Sequence, residues 1–386
     1  MALALNAGLQ LEDVEFMQFH PTGLAHTGIL LSEAARAEGG VLRNAEGEAF
    51  MQRYAPGHAD LAARDVVSRA IRSETDAGRG VADPKDPEGR RDCVWLDMRG
   101  IDADHMNEVL PEVVATIRKY ANLDPAVDLI PVKPTAHYTM GGIPVTVDGE
   151  VYRWTDGRRA TVEGLFAAGE CSCVSVHGAN RLGGNSLLDA CLFGTRAGRS
   201  MAARLEGAAA APDAGDETVQ DRVDDAAAAR RTQVADLLAA AKAGADADAD
   251  DEDTADGNPY QLMAELGAVM ESALAVHCSE DTIAAAREAI AERIAPQAAS
   301  LHPHSDTPAF NQELTAIWEV RHLIDLGSAM LEASDARHES RGSLYRMDFP
   351  ARDDERFLAH SMTDAEGGIG WQPVHIEDMP PQARSY

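Results

Sequence analysis

SVHGANRLGGNSLLDACLFGTRAG, residues 175–198, joins a glycine-rich turn, a single arginine and an apolar run that starts directly after a second turn signal. A Gly-Asn cluster ahead of an apolar stretch predicts a tight loop feeding a helix, with Asn185 or Ser186 as its N-cap. The start of such a helix leaves backbone N–H groups unpaired and carries the positive end of the helix dipole, so it favours an anion in front of it. Arg181 stands beside that start. Taken alone, a loop arginine caps a turn or meets a surface carboxylate more often than it grips a ligand, so its role depends on the rest of the chain.

Outward from this stretch, 386 residues at 45 % hydrophobic content suffice for two or three cored domains. The formal net charge is -30, and Lys85, Lys119, Lys133 and Lys242 are the only lysines; arginine supplies the remaining cations. Acid excess with lysine depletion points to a halophilic chain kept soluble in strong salt, where screening removes most self-repulsion. A nucleic-acid partner is disfavoured, because no basic stripe offers phosphate neutralisation. The five cysteines show no C-x-x-C pair and read as reduced, mostly buried thiols of a cytoplasmic protein, with no metal site expected. No apolar run reaches the roughly 18 residues needed to span a bilayer, and the first ten residues do not read as a signal peptide.

The pattern along the chain is mixed. Residues 1–8 are helical in character, 14–19 (VEFMQF) read as a strand, and 28–36 and 64–72 show helical spacing. Residues 78–91 are turn-rich, 93–99 (CVWLDMR) form a strand, and 104–120 an amphipathic helix. Short strands follow from residue 130, ending in the small-residue strand GLFAAGE at 164–170, and the helix from Ser186 closes the unit near Leu205. Residues 207–257 are an Ala/Asp-dominated tract, including ADADADDEDTADG, with one helical piece over 217–243 and the remainder too polar to bury. Residues 258–339 are helical throughout, and the tail is loop-like and dense in paired charges.

Three clusters carry chemistry. QFHPTGL places His20 before a proline, which biases its backbone towards extended geometry, and Ser32, Glu33 and Arg36 follow, the last two one helical turn apart. TAHYTMGG sets His137 beside a Gly-Gly that admits close backbone approach to something flat or bulky, although a strand histidine alone is more often a satisfied core residue. In TVEGLFAAGE a strand of small residues ends on Glu170, whose carboxylate can accept from hydroxyls. HPTG, SEAARAEGG, ARDVVSRAI, TAHYTMGG, GLFAAGE and HGANRLGGNSLLD occur in that order, and together they resemble one family: the flavoprotein subunit of succinate dehydrogenase and fumarate reductase. The resemblance runs from the N-terminus to about Leu205 and resumes over 310–360. L-aspartate oxidase shares much of the set, but GGNSLLD with RHESRG and DFPARDD looks more like the succinate enzymes.

The resemblance implies an α+β chain: 1–22 ends the first part of an FAD-binding domain, 23–129 is a capping domain, and 130–206 is the returning part of the FAD domain. An acidic insertion (207–257), a C-terminal helical bundle domain (258–341) and a tail (342–386) complete it. It further implies that His20, Ser32, His137 and Arg181 bind the two carboxylates of succinate or fumarate, and that Arg64 is the acid–base group, with Glu33 and Arg36 relaying the proton. An arginine with a pKa above about 12 is an awkward proton shuttle. Glu170 would contact the ribityl chain, and Asn185, Ser186 and Leu187 would lie by the flavin ring of FAD. The implied partners are an iron-sulfur subunit and membrane-anchor subunits that hold the assembly at the inner face of the cell membrane.

Two departures qualify this. The family's G-x-G-x-x-G pyrophosphate turn has no match, since Gly78 and Gly80 are followed by VAD, and the early histidine that links to flavin is likewise unmatched. The expectation is therefore a C-terminal portion of the flavoprotein that does not hold FAD tightly alone, either a catalytic part or a non-catalytic remnant. Leu344 stands where some relatives carry a histidine.

Overall fold

A computed structural model describes residues 1–207, 217–247, 257–376, 378, 379 and 382; the acidic run at 248–256 lies outside the described residues. Helix α1 (Ala2–Asn6) leads to strands β1 (Leu11–Glu12) and β2 (Met17–Leu24). The strand expected at 14–19 thus starts later and runs on through His20-Pro21-Thr22-Gly23. Pro21 and Thr22 together face one residue of the neighbouring strand, a bulge that accommodates the missing proline N–H.

Next come α2 (Ala34–Ala37), β3 (Val41–Arg43), α3 (Met51–Tyr54), α4 (Arg64–Glu74), β4 (Val94–Asp97), α5 (Ala103–Val109), α6 (Pro111–Thr116) and β5 (Ile130–Thr139). Strands β2, β5, β4 and β3 form, in that order, an antiparallel sheet. Its pairing is close: a Cβ on Gly23 would lie 2.1 Å from Thr135 Oγ1. Leu42, Phe50, Val67, Ile71, Leu96, Ile117 and Val132 make the core of this part, each such burial contributing about 1.5–3 kcal/mol. Two helices expected here are shorter. Before Ala34 the chain returns along β2, with Leu31 N–H donating to Thr22 O, so 28–33 is not helical. The helix expected over 104–120 breaks at Leu110 (φ -125°, ψ 38°), because Pro111 excludes helical geometry from the residue before it.

Strand β6 (Ile143–Pro144), the hairpin of β7 (Glu150–Thr155) and β8 (Arg158–Phe166), and β9 (Ser172–Cys173), which pairs parallel to β6, precede helix α7 (Asn185–Gly207). Asn185 and Ser186 therefore occupy the first turn of α7. The small-residue strand ends at Phe166, before Ala-Ala-Gly-Glu, where Gly169 (φ 78°) turns the chain and accepts the Ser172 N–H. The Gly141-Gly142 pair admits the chain itself rather than a flat group: a Cβ would lie 2.3 Å from the Asp13 carbonyl at Gly141 and 2.6 Å from Cys171 O at Gly142.

After α8 (Glu217–Ala247), helices α9 (Pro259–Leu274), α10 (Glu280–Ala289), α11 (Ala295–Ser300) and α12 (Gln312–Ala336) enclose Leu266, Ile283, Ile290, Ile317, Val320 and Leu331. Leu344 is buried in the same core, which explains an apolar residue there. The tail is not loop alone: α13 (Asp354–Phe357) precedes β10 (Ala359–Thr363) and β11 (Ile369–Pro373), and β10 pairs with both β1 and β11.

A buried charge knot ties the end of α12 to that tail. Arg337, fully buried, donates from Nε to Glu15 at 2.7 Å and from Nη1 to Glu339 at 3.1 Å, and gives two further bonds to the carbonyls of Phe357 and Ala359. Its guanidinium lies 4.8 Å from the Phe16 ring centroid and 4.9 Å from that of Trp371. Burial pushes the Glu15 carboxyl up, and the Arg337 charge opposes that rise. Arg337→Met leaves Glu15 buried without a cation, so we expect a loss of about 3–5 kcal/mol in urea unfolding, nearly independent of salt. Adding Glu15→Gln to that variant recovers part of it. A loss near zero, or one that salt abolishes, would contradict the account.

Candidate active site

The site starts from β2 and β5. Gln18 faces Tyr138 and Phe19 faces Ala136, so His137 is the extra residue of a second bulge. In a regular strand His137 and Tyr138 would point to opposite faces; the bulge lets both reach Arg181. Arg181 Nη2 donates to His137 Nε2 at 2.6 Å, and the guanidinium lies 4.4 Å from the Tyr138 ring centroid. The Tyr138 hydroxyl donates to Asp189 Oδ2 on α7 at 3.2 Å, with His177 Nε2 3.1 Å from both groups. His20 meets His137 edge-on at 5.6 Å between centroids. Arg181 is buried, yet its Nε has no partner, an unused donor at the centre of the group.

Burial, reinforced by the Arg64 charge, pushes His20 down to about 3, and burial with Arg181 pushes His137 down to about 4. Both are neutral near pH 7. His20 Nδ1 accepts the Thr22 N–H at 3.3 Å, which puts its proton on Nε2, and His137 accepts at Nε2, which puts its proton on Nδ1. Burial, then the Arg64 charge, also lowers Arg181.

Arg64, the first residue of α4, faces this pair. It donates from Nε to Glu33 Oε1 at 2.6 Å and from Nη1 to Gln18 Oε1 at 3.2 Å. Arg36 Nη2 lies 3.7 Å from the same Glu33 oxygen, and its Nη1 donates to the Asp60 carbonyl. The Arg36 side chain is 3 % exposed and that of Glu33 43 %, so the row runs from the interior to solvent. Burial lowers Arg36, with Glu33 opposing. A cavity of about 350 Å³ is lined by Glu33, Arg36, Arg64, Asn180, Arg181 and Gly183 among others. Three guanidiniums against one carboxylate suit a dianion.

Ser32 is exposed and accepts the Ala34 N–H at 3.3 Å, a local bond outside this group. Gln18 and Tyr138 escaped the sequence reading. Gln18 is two residues before His20, so strand alternation alone could have put both on one face. Tyr138 had no such signal, since alternation aims it away from His137. Glu170 is exposed and accepts the Thr139 N–H at 3.4 Å; Asn185 and Ser186 are half-buried and Leu187 is 75 % exposed.

Comparison with known proteins agrees with this architecture. An FAD binding domain model matches residues 1–187, and the model described as fumarate reductase flavoprotein C-term matches 263–386. The fumarate reductase flavoprotein subunit of Mycobacterium tuberculosis is 40 % identical over 407 aligned residues, covering 100 % of this chain and 63 % of that protein. The mitochondrial succinate dehydrogenase [ubiquinone] flavoprotein subunit of Oryza sativa is 36 % identical, covering 100 % of this chain and 58 % of its own length. A mutant of E. coli quinol fumarate reductase superposes with a TM-score of 0.83 at 32 % identity, over 99 % of this chain and 62 % of that one. The fold is thus that of an FAD-dependent oxidoreductase. The chain belongs to the succinate dehydrogenase and fumarate reductase flavoprotein family, and spans about three-fifths of the length of these relatives. The similarity also covers the residues between 205 and 310, which the sequence reading left outside it.

FAD is the cofactor of this family, and the residues present fit one side of it. Gly178 (φ 53°) and Gly184 (φ 81°) have no atom within 4 Å of where a Cβ would stand, and Leu187 and Leu188 in the first turn of α7 are exposed. Open backbone at a helix start suits a flat ring that gains negative charge on reduction.

Because both histidines stay neutral in the fold but titrate near pH 6.5 when unfolded, the unfolded chain binds more protons below that pH. Their contribution to stability is complete above about pH 6.5 and is lost as pH falls towards 4 for His137 and 3 for His20. Imidazole 15N NMR at pH 5.5 should show His20 as the Nε2–H and His137 as the Nδ1–H tautomer. Imidazolium signals at that pH would overturn the assignment.

Proposed function

We propose that this chain carries the dicarboxylate-gripping and proton-handling side of an FAD-dependent oxidoreductase that interconverts succinate and fumarate, working as succinate dehydrogenase within a complete flavoprotein subunit. The observation that carries the reading is the cavity in which Arg181, steadied by His137 and Tyr138, meets Arg64 on its Glu33–Arg36 row. Arg181 offers one carboxylate a fork whose Nε is otherwise unused. The neutral His20 and His137 orient the substrate without adding charge, and Ser32, next to Glu33 in sequence, is assigned to the second carboxylate, for which its side chain has to leave the Ala34 N–H.

Arg64 acts as a relay: as its guanidinium passes the Nε proton to Glu33 Oε1 it takes the proton released from the substrate carbon, and Glu33, half in water, hands its proton outward, with Arg36 beside it at the buried end of the row. Burial lowers the proton affinity of Arg36, the inner member of the row. Bound FAD would supply the hydride acceptor. Glu170, Asn185, Ser186 and Leu187 are assigned to hold it, on the open face beside α7. The relatives are flavoprotein subunits by name, and we assign this chain the same setting, with electrons leaving to an iron-sulfur subunit and then to membrane-anchor subunits. No helix among the described residues is long and apolar enough to cross a membrane, so the reading gives attachment to those partners.

The test is dye reduction with succinate, and reoxidation with fumarate, in the complete flavin-loaded subunit at high salt. Arg64→Ala should lower turnover by about 10²–10⁴-fold with flavin absorbance unchanged. Arg181→Lys, which cannot form the fork, should raise KM by roughly 10–100-fold. Substantial turnover in Arg64→Ala would sink the acid–base role. Peroxide from aspartate would instead make this an L-aspartate oxidase, and flavin bound without any turnover would make it a remnant.

A further inference from the structure

Arg64 and Arg181 are like charges on different elements that share one cavity, and something must hold them there. Each has a chain neighbour with a polar side chain turned to the other element. Asn180, directly before Arg181, donates from Nδ2 to Asp65 Oδ1 at 3.1 Å, and Asp65 directly follows Arg64. The other end of the same amide, Asn180 Oδ1, accepts from Gln18 Nε2 at 2.8 Å. Gln18 Nε2 also donates to the Arg181 carbonyl at 2.7 Å, while Gln18 Oε1 accepts from Arg64. The hydrogen bonds close a ring: Arg64 to Gln18, Gln18 to Asn180, Asn180 to Asp65, and Asp65 back to Arg64 through the peptide bond. Asp65 is buried, and its second oxygen accepts from Arg69 Nη2 at 3.2 Å, whose guanidinium lies 5.3 Å from the Tyr345 ring centroid. The ring is thereby anchored to the C-terminal segment as well.

We propose that Asp65 and Asn180 are positioning residues, and that their hydrogen bond is the catch that closes the sheet-and-helix unit bearing α4 onto the Arg181 loop, fixing the separation of the two arginines. This rests on the roles proposed above for Arg64 and Arg181. Repulsion between the guanidiniums favours the open arrangement, and the Asn180–Asp65 hydrogen bond ties the two chain segments together against it. A simpler role exists for Asp65, since an acidic residue in the first turn of α4 stabilises the helix through its dipole. That role does not involve Asn180, so the two residues separate the explanations.

The test uses Asp65→Ala, Asn180→Ala, the double variant, and Asp65→Asn, which keeps an oxygen to accept from Asn180. Hydrogen exchange is read at residues 63–68 and 178–182, and kcat and KM are read separately in the flavin-loaded enzyme. Both alanine variants should speed exchange in both segments together and lower kcat by roughly 10–100-fold, because displacement by about 1 Å costs that much in a positioned site. The double variant should be no worse than the poorer single one, as expected for partners in one contact. Asp65→Asn should restore most of kcat. Additive effects, faster exchange confined to α4 in Asp65→Ala with Asn180→Ala silent, or unchanged kcat in both, would overturn the proposal. If the unmutated enzyme turns over neither dicarboxylate but exchange still rises in both segments, the catch stands and the assigned reaction falls.

Discussion

The antiparallel pairing of β2 with β5 is the contact on which the other parts depend. At one end it pairs Leu24 with Val132, inside the core of the sheet built with β3 and β4. At the other it delivers Tyr138 and Met140 to the core shared with the C-terminal helices. Between the two cores lie the two bulges, and each has a chemical consequence. The one at Pro21-Thr22 lets a proline sit within a paired strand and leaves Thr22 N–H free to bond His20 Nδ1. The one at His137 turns two successive side chains towards Arg181. A ladder in perfect register would have carried the same residues and built no site.

Electrostatically the molecule works against its own average. A chain of formal charge -30 repels a dianion at long range, yet the cavity presents three guanidiniums. Local Coulomb attraction acts over a few ångströms at reduced dielectric, whereas the diffuse surface charge is screened beyond about 10 Å at 0.1 M salt and closer in at higher salt. Strong salt therefore removes the long-range penalty while leaving the buried contacts almost untouched. The same reasoning separates the surface acids from the knot around Arg337, where Glu15 and Glu339 are fully buried.

The order of motifs, the loop-to-helix start at α7 and the helical character of the C-terminal half were readable directly, because each rests on local spacing or on residue types with narrow conformational preferences. What misread did so for local reasons too. The strand expected from sequence stops at residue 19, short of Pro21, because proline rarely enters a ladder; the bulge that admits it exists only when the partner strand is present. The tail read as loop because its density of charge argued for solvent, whereas Arg346 is fully buried on Asp348 and Asp354 bonds Arg341, which joins the knot at Arg337 through Glu339. Leu344, without a role as a site residue, is explained by core burial.

The sequence by itself determined the family, through six short motifs in fixed order, and the chemical inventory of arginines, histidines and glutamates that the cavity draws on. Only the tertiary structure decided which of them meet. Whether His137 meets Arg181, whether Gln18 and Asn180 join Arg64, and whether Ser32 faces inward or bonds its own turn depend on contacts between residues up to 163 positions apart. The physical reason is that a side chain's direction follows from backbone register, and register is settled by pairing with a distant strand and by burial, neither of which is encoded in the spacing of any one segment.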